Sequence, residues 1–210
     1  MPSSVAVATG AVSLVMTLAA CGSETEPSST STTSSTSSTA LADEFIPSVT
    51  DTGNPASATC PTAVPQSGGT PEWTFNGTTG SVAVTGSTDT TAPLINVEPP
   101  FSVTETQVHT LQAGDGPVVA DTATVFVCYM GVNGRDGSVF DNSYERGMPV
   151  DFPLDGVVPG FQKAIAGQKV GSTVAVAMTS ADGYPEGQPA AGIQPGDSLI
   201  FAIKILDASS

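Results

Sequence analysis

Basic residues are scarce in this chain of 210 residues: five Lys or Arg stand against 20 Asp or Glu, a formal net charge of -15. A surface so acidic repels phosphate and anionic lipid headgroups, which argues against direct recognition of nucleic acid or of a charged bilayer. There is one histidine, His109. It has no Cys or His at ligand spacing, so no metal site is expected. It sits on the strand-like run Gln107-Val108-His109-Thr110-Leu111 and reads as a solvated face residue. No Ser/His/Asp arrangement, no phosphate-cradling Gly loop with a Lys and no partnered carboxylate pair is present. Hydrolysis, phosphoryl transfer and cofactor chemistry are therefore not expected. No internal repeat occurs. The longest apolar run, Val5 to Ala20, is too short for a comfortable membrane span.

That run ends in Leu18-Ala19-Ala20-Cys21, with small residues where an export signal is cleaved. Cys directly after Leu-Ala-Ala resembles a bacterial lipobox, which implies a signal peptide over 1–20 and lipid modification of Cys21. No Lys or Arg precedes the run. This departs from the usual positive n-region and is consistent with a translation start upstream of Met1. Acylation would hold the protein on a membrane surface without a transmembrane helix, an extracytoplasmic, lipid-anchored location.

Residues 21–45 are dominated by Ser and Thr and cannot bury apolar surface, so a disordered tether is expected there. Residues 46–104 are turn-rich and read as an irregular preamble with short strands at Ser81–Thr85 and Pro93–Val97. Pro99-Pro100 is expected to break the chain before the main domain. With Cys21 lipidated, Cys60 and Cys128 remain. Export to an oxidising compartment favours a disulfide between them, with two independent thiols as the alternative.

From 105 to 210 the strand signals become regular: Gln107–Leu111, Ala123–Tyr129, Val139–Asp141, Val150–Leu154, Thr173–Met178 and Leu199–Leu206. One stretch reads as a helix, with Pro159 near its start, Phe161, Ala164 and Ile165 on one face, and Gly167 as its C-terminal cap. Several antiparallel strands around one short helix define an α+β domain. Between Met178 and Leu199 lies a long Gly- and Pro-rich loop, the kind that is usually functional. In Val139-Phe140-Asp141-Asn142-Ser143 a carboxylate stands beside an aromatic ring. It either caps a turn or lines a cleft whose walls lie elsewhere.

In order and spacing, several segments resemble the FK506-binding (FKBP-type) peptidyl-prolyl cis-trans isomerases, in a bacterial exported lipoprotein form. They are Gly114-Asp115-Gly116, Val127-Cys128-Tyr129-Met130-Gly131, Gly137–Ser143, Val157-Val158-Pro159-Gly160-Phe161, Gly167–Gly171, Gly183-Tyr184 and Leu199-Ile200-Phe201. The resemblance implies an antiparallel sheet curled around a short helix, with an apolar pocket between them. By the same resemblance Tyr129, Phe140, Phe152 and Phe201 form the walls, Val157 and Val158 line the start of the helix, and Phe161 is the floor. Ile193 closes the far side, and the Val158 N–H and Tyr184 hydroxyl serve as donors. Asp141 stands at the rim with Arg146 as its partner. Two positions depart from the family pattern: Phe161 stands where Trp is common, and Val150 where another aromatic is frequent. Phe152 could equally be ordinary core.

The activity implied is non-covalent isomerisation of X-Pro bonds in exported polypeptides, with Asp141, Tyr184 and Val158 as the acting groups. The alternative is a weakly catalytic FKBP-like binding module or chaperone for Pro-containing or hydrophobic segments. Proline-containing unfolded chains are the expected partners, a macrolide is a candidate ligand, and the protein is expected to be a monomer.

Overall fold

The run Thr173–Met178 alternates Val174, Val176 and Met178 with Ala175 and Ala177, and all six of its residues are buried. A strand with large side chains on one face and small ones on the other needs cover on both faces. The protein is described by a computed structural model over residues 59–65 and 69–209, and both covers are present. The expected signal peptide (1–20), the tether (21–45) and Cys21 lie outside the described residues.

In chain order, β1 (Trp73–Asn76), β2 (Thr79–Thr85) and β3 (Leu94–Ser102) form a three-stranded antiparallel sheet. β4 (Gln107–Gln112), β5 (Thr124–Asn133), β6 (Val139–Asn142), β7 (Val150–Pro153), β8 (Thr173–Met178) and β9 (Leu199–Ser209) form the main sheet. Its order is β4-β8-β9-β5-β6, with β7 also paired to β5 and every pair antiparallel. Helix α1 (Ser143–Arg146) follows β6, and α2 (Pro159–Ile165) follows β7.

Helix α2 covers the inner face. Pro159 opens it with a φ suited to the first turn, and Phe161, Ala164 and Ile165 are buried against the sheet. Gly160 sets how close it lies: a Cβ there would come within 2.8 Å of the Met178 Cβ and Sδ. The α+β domain with an antiparallel sheet around one principal helix is as the sequence predicts. The one-turn helix α1 is additional. Asn142 caps it, its side chain accepting from the N–H groups of Tyr144 (3.0 Å) and Glu145 (3.3 Å), and Gly147 ends it in the left-handed conformation. Four residues are too few for apolar periodicity to register.

The outer face corrects the expectation for residues 46–104. The short strands expected at Ser81–Thr85 and Pro93–Val97 are present within β2 and β3, but 73–102 is otherwise not irregular: β1 joins them in a regular sheet, and β3 runs on through Pro99-Pro100. Trp73, Val82, Val84 and Phe101 pack on Ala175, Ala177, Ile200 and Ala202 of the main sheet in a second core. The small alanines of β8 let the second sheet approach, so the boundary at 105 divides residues that share one core. All described residues fall within a single compact unit.

Of the two readings open for Cys60 and Cys128, the structure has the disulfide, with Cα atoms 5.7 Å apart. The short segment around Cys60 lies against two parts of the domain. The Cys60 N–H donates to the Gly147 carbonyl (3.3 Å) and the Ala92 N–H to the Ala63 carbonyl (2.8 Å).

Candidate active site

Two strands divide one edge of β5. Thr124–Val127 pair with β7, and Met130–Val132 pair with β6. Between them the chain leaves the sheet through α1, and an opening remains between the inner face of the sheet and the amino-terminal end of α2. A cavity of about 370 Å³ occupies it, lined by Tyr129, Phe140, Asp141, Phe152, Gly156, Val157, Val158, Phe161, Tyr184 and Phe201. Strand alternation puts Val125, Val127 and Tyr129 on the inner face, and all three are buried there.

Phe161 is the floor, 5% exposed. Its ring meets those of Tyr129 (5.8 Å), Phe152 (5.7 Å) and Phe201 (5.4 Å) edge to face. Phe140 continues the wall, edge-on to Phe201 at 5.4 Å. Such pairs gain about 0.5–1.5 kcal/mol beyond their buried area, so the rings fix one another and the cleft is preformed. Gly131 permits this. A Cβ on it would lie 2.6 Å from Phe140 and 2.8 Å from Phe201. A Gly within an apolar strand marks such an approach; the residue belongs to a motif segment but carried no assigned role.

At the rim, the Tyr129 hydroxyl donates to Asp141 Oδ2, and Arg146 Nη1 donates to Oδ1 at 2.7 Å. Partial burial pushes the Asp141 carboxyl upward, but the bonds from Tyr129 and Arg146 outweigh it and hold the group below the usual range. Burial, reinforced by the neighbouring carboxylate, pushes the Tyr129 phenol up to about 12. Asp141 is thus a fixed anion and Tyr129 a fixed donor. Asp141 does not cap the turn; Asn142 does. The Tyr129 N–H in turn donates to Ser143 Oγ (2.8 Å), which ties β5 to the start of α1.

Val158 is the N-cap of α2, and its N–H has no hydrogen-bond acceptor among the described residues. Tyr184 reaches the cleft from the long loop. The loop base is held by Lys163 Nζ on Asp182 Oδ2 (2.7 Å), and by Ser180 Oγ, which donates to the Tyr184 carbonyl (3.2 Å) and accepts from the Gly196 N–H (3.1 Å). Phe152 is half-buried and on the lining, so its reading as core alone is set aside.

One expected residue is elsewhere. Ile193 is 2% exposed, belongs to the main core and does not line the cleft. Mutual backbone bonds between Gln188 and Ile193 (2.8 and 3.1 Å) close the loop on itself. Its one large aliphatic residue then serves as the buried anchor. Gly156 lines the cleft and was not expected; a small residue in a turn gives no sequence sign of lining anything. Val150 pairs with Val127 and is likewise not on the lining.

The family model for FKBP-type peptidyl-prolyl cis-trans isomerases matches residues 116–206. The FK506-binding protein of Streptomyces anulatus is 33% identical over 112 residues, covering 52% of this chain and 88% of that protein. This chain belongs to the FKBP family. Another member, the FKBP-type peptidyl-prolyl cis-trans isomerase FkpA of Escherichia coli (strain K12), is 39% identical over 98 residues, 46% of this chain and 35% of that protein. The crystal structure of FkpA from Escherichia coli aligns at a TM-score of 0.47 with 36% identity, over 50% of this chain and 48% of that one. The chain thus spans about a third of the FkpA sequence it matches. The matched FKBP region takes in β5 to β8 and most of β9, and with them the residues that line the cleft. Sheet β1–β3 lies before it.

Proposed function

We propose that this protein is a peptidyl-prolyl cis-trans isomerase acting on X-Pro bonds of exported polypeptides. The observation that carries the reading is the preformed aromatic cleft with the Asp141 anion held at its rim by Tyr129 and Arg146.

Rotation about the peptide C–N bond faces about 18–20 kcal/mol because the planar amide is resonance-stabilised. At the twisted transition state that conjugation is lost, the carbonyl is less polar and the nitrogen more basic. No nucleophile or proton acceptor is required. The rings of Tyr129, Phe152, Phe161 and Phe201 receive the proline and exclude water, which favours the less polar twisted form over the planar amide. The Val158 N–H and the Tyr184 hydroxyl hold flanking carbonyls while the bond turns. Asp141 acts through its field. It cannot relay a proton at neutral pH, being already ionised and held so by two donors.

The export half of the reading rests on Leu18-Ala19-Ala20-Cys21. It is supported by the Cys60–Cys128 disulfide, which suits an oxidising compartment. Lipid on Cys21 anchors the protein outside the cytoplasmic membrane, where it works as a monomer on unfolded chains. A macrolide large enough to fill the cleft competes with substrate. The mass of the mature amino terminus tests the anchor. Isomerisation of a proline peptide by the purified chain, with and without a macrolide, tests the activity, and Asp141→Val and Tyr184→Phe should each lower kcat/KM. Wild-type rates in both variants would sink the assignment of roles. Binding of Pro peptides without turnover would leave a binding module instead.

A further inference from the structure

Beside the aromatic cleft lies a smaller cavity of about 180 Å³, walled by Val139, Phe140, Asp141, Asn142, Glu145 and Arg146. The two share Phe140 and Asp141. At about 3.3 Å per residue, an extended peptide with its proline in the first places a neighbouring side chain in the second.

The second cavity has two kinds of wall. One is apolar: Val139 is 52% exposed, an uncovered aliphatic surface at the start of β6. The other carries charge. Arg146 is spent on Asp141 at 2.7 Å. The Glu145 side chain is exposed and has no hydrogen-bond or ion-pair partner among the described residues. One negative charge is therefore left over, within a chain of net charge -15. Lys and Arg side chains combine an apolar stem with a cationic head. A stem laid along Val139 and Phe140 sends its head to Glu145, whereas an Asp or Glu side chain meets a like charge there.

We propose that this cavity is a subsite for a lysine or arginine side chain flanking the substrate proline, with Glu145 as the residue that sets the preference. The proposal deepens the isomerase reading and rests on it for the place of the proline. Glu145 does not act on the rotating bond; it selects which X-Pro segments are held.

The test uses the full chain and peptides carrying Lys, Leu or Glu at each position next to and one removed from the proline. Turnover and calorimetric binding are both measured. At one placement Lys should exceed Leu by about two- to five-fold in kcat/KM and in affinity, the range of an exposed ion pair, with Glu poorest. High salt should flatten the difference. Glu145→Gln should remove the preference and Glu145→Lys reverse it. Asp89→Asn, an exposed carboxylate that lines neither cavity, should leave the preference intact. Catalysis with equal rates for Lys, Leu and Glu at every placement overturns the subsite while keeping the isomerase. Lys-selective binding without turnover keeps the subsite and overturns the isomerase. A preference that survives Glu145→Gln assigns it to another group and overturns the proposal.

Discussion

Reduction of the Cys60–Cys128 bond should lower the stability of the fold substantially. The two cysteines are 68 residues apart in sequence and both are buried. Cross-linking a loop of that length removes denatured-state entropy worth about 4 kcal/mol on the chain-entropy account. The segment around Cys60 is held otherwise by packing of Cys60 against Ala92 and Tyr144 and by a few backbone bonds, the Cys60 N–H to Gly147 and the Ala92 N–H to Ala63 among them. For a domain of this size, about 4 kcal/mol corresponds to a drop in Tm of roughly 8–16 °C. The assay is thermal and urea unfolding of the protein with and without a dithiol reductant, with Cys60→Ser and Cys128→Ser together as the non-reducible control. The reduced form should also show the larger urea m-value, because its denatured chain is less compact. Melting temperatures within a degree of each other, reduced and oxidised, would refute the reasoning. They would mean that the loop is closed equally well by non-covalent contacts.

Gly131→Ala should displace the Phe140 and Phe201 rings, whose atoms lie 2.6 and 2.8 Å from the new Cβ. It should cost about 1–3 kcal/mol of stability as an overpacked site and lower kcat/KM on a Pro peptide more than Tyr184→Phe does; unchanged kinetics would show that the ring positions are not critical. The Asp141 carboxyl is held low, so the stability it contributes is present above its unfolded pKa and lost as pH falls through its folded one. Tyr129→Phe removes one donor and should move the acid limb of kcat/KM to higher pH, which a pH–rate profile reads directly. At the other end, the Tyr129 and Tyr144 phenols are each pushed up to about 12, chiefly by burial. The folded state then holds protons that the unfolded state releases near pH 10. Urea midpoints should accordingly be flat up to about pH 10 and fall between there and pH 12.

The strands of the main sheet were legible because alternation and β-branched content are local properties. Thr173–Met178 is a strand over the very residues the pattern marks. So is the start of α2, where Pro159 precedes an apolar face. Helix α1 escaped because one turn carries no period. Of sheet β1–β3, the strands expected at Ser81–Thr85 and Pro93–Val97 are present in β2 and β3; β1 and the run of β3 through Pro99-Pro100 escaped, and only the small outer surface of β8 shows where the sheet goes. Most of the cleft was legible through the order of its motifs: nine of the ten lining residues carry a side chain or a place in a family-like segment. Ile193 was misplaced because a loop residue's direction depends on how the loop closes, here the Gln188–Ile193 bonds.

The sequence by itself determined the fold class, the family, the acidic surface and which aromatic residues gather around the cleft. These follow from residue type and short-range spacing. Tertiary structure decided the rest. It joined Cys60 to Cys128, laid 73–102 over the back of the sheet and turned Ile193 inward. The first two depend on which distant segments meet, and that is fixed by packing both faces of β8 and β9; the third depends on how the long loop closes on itself.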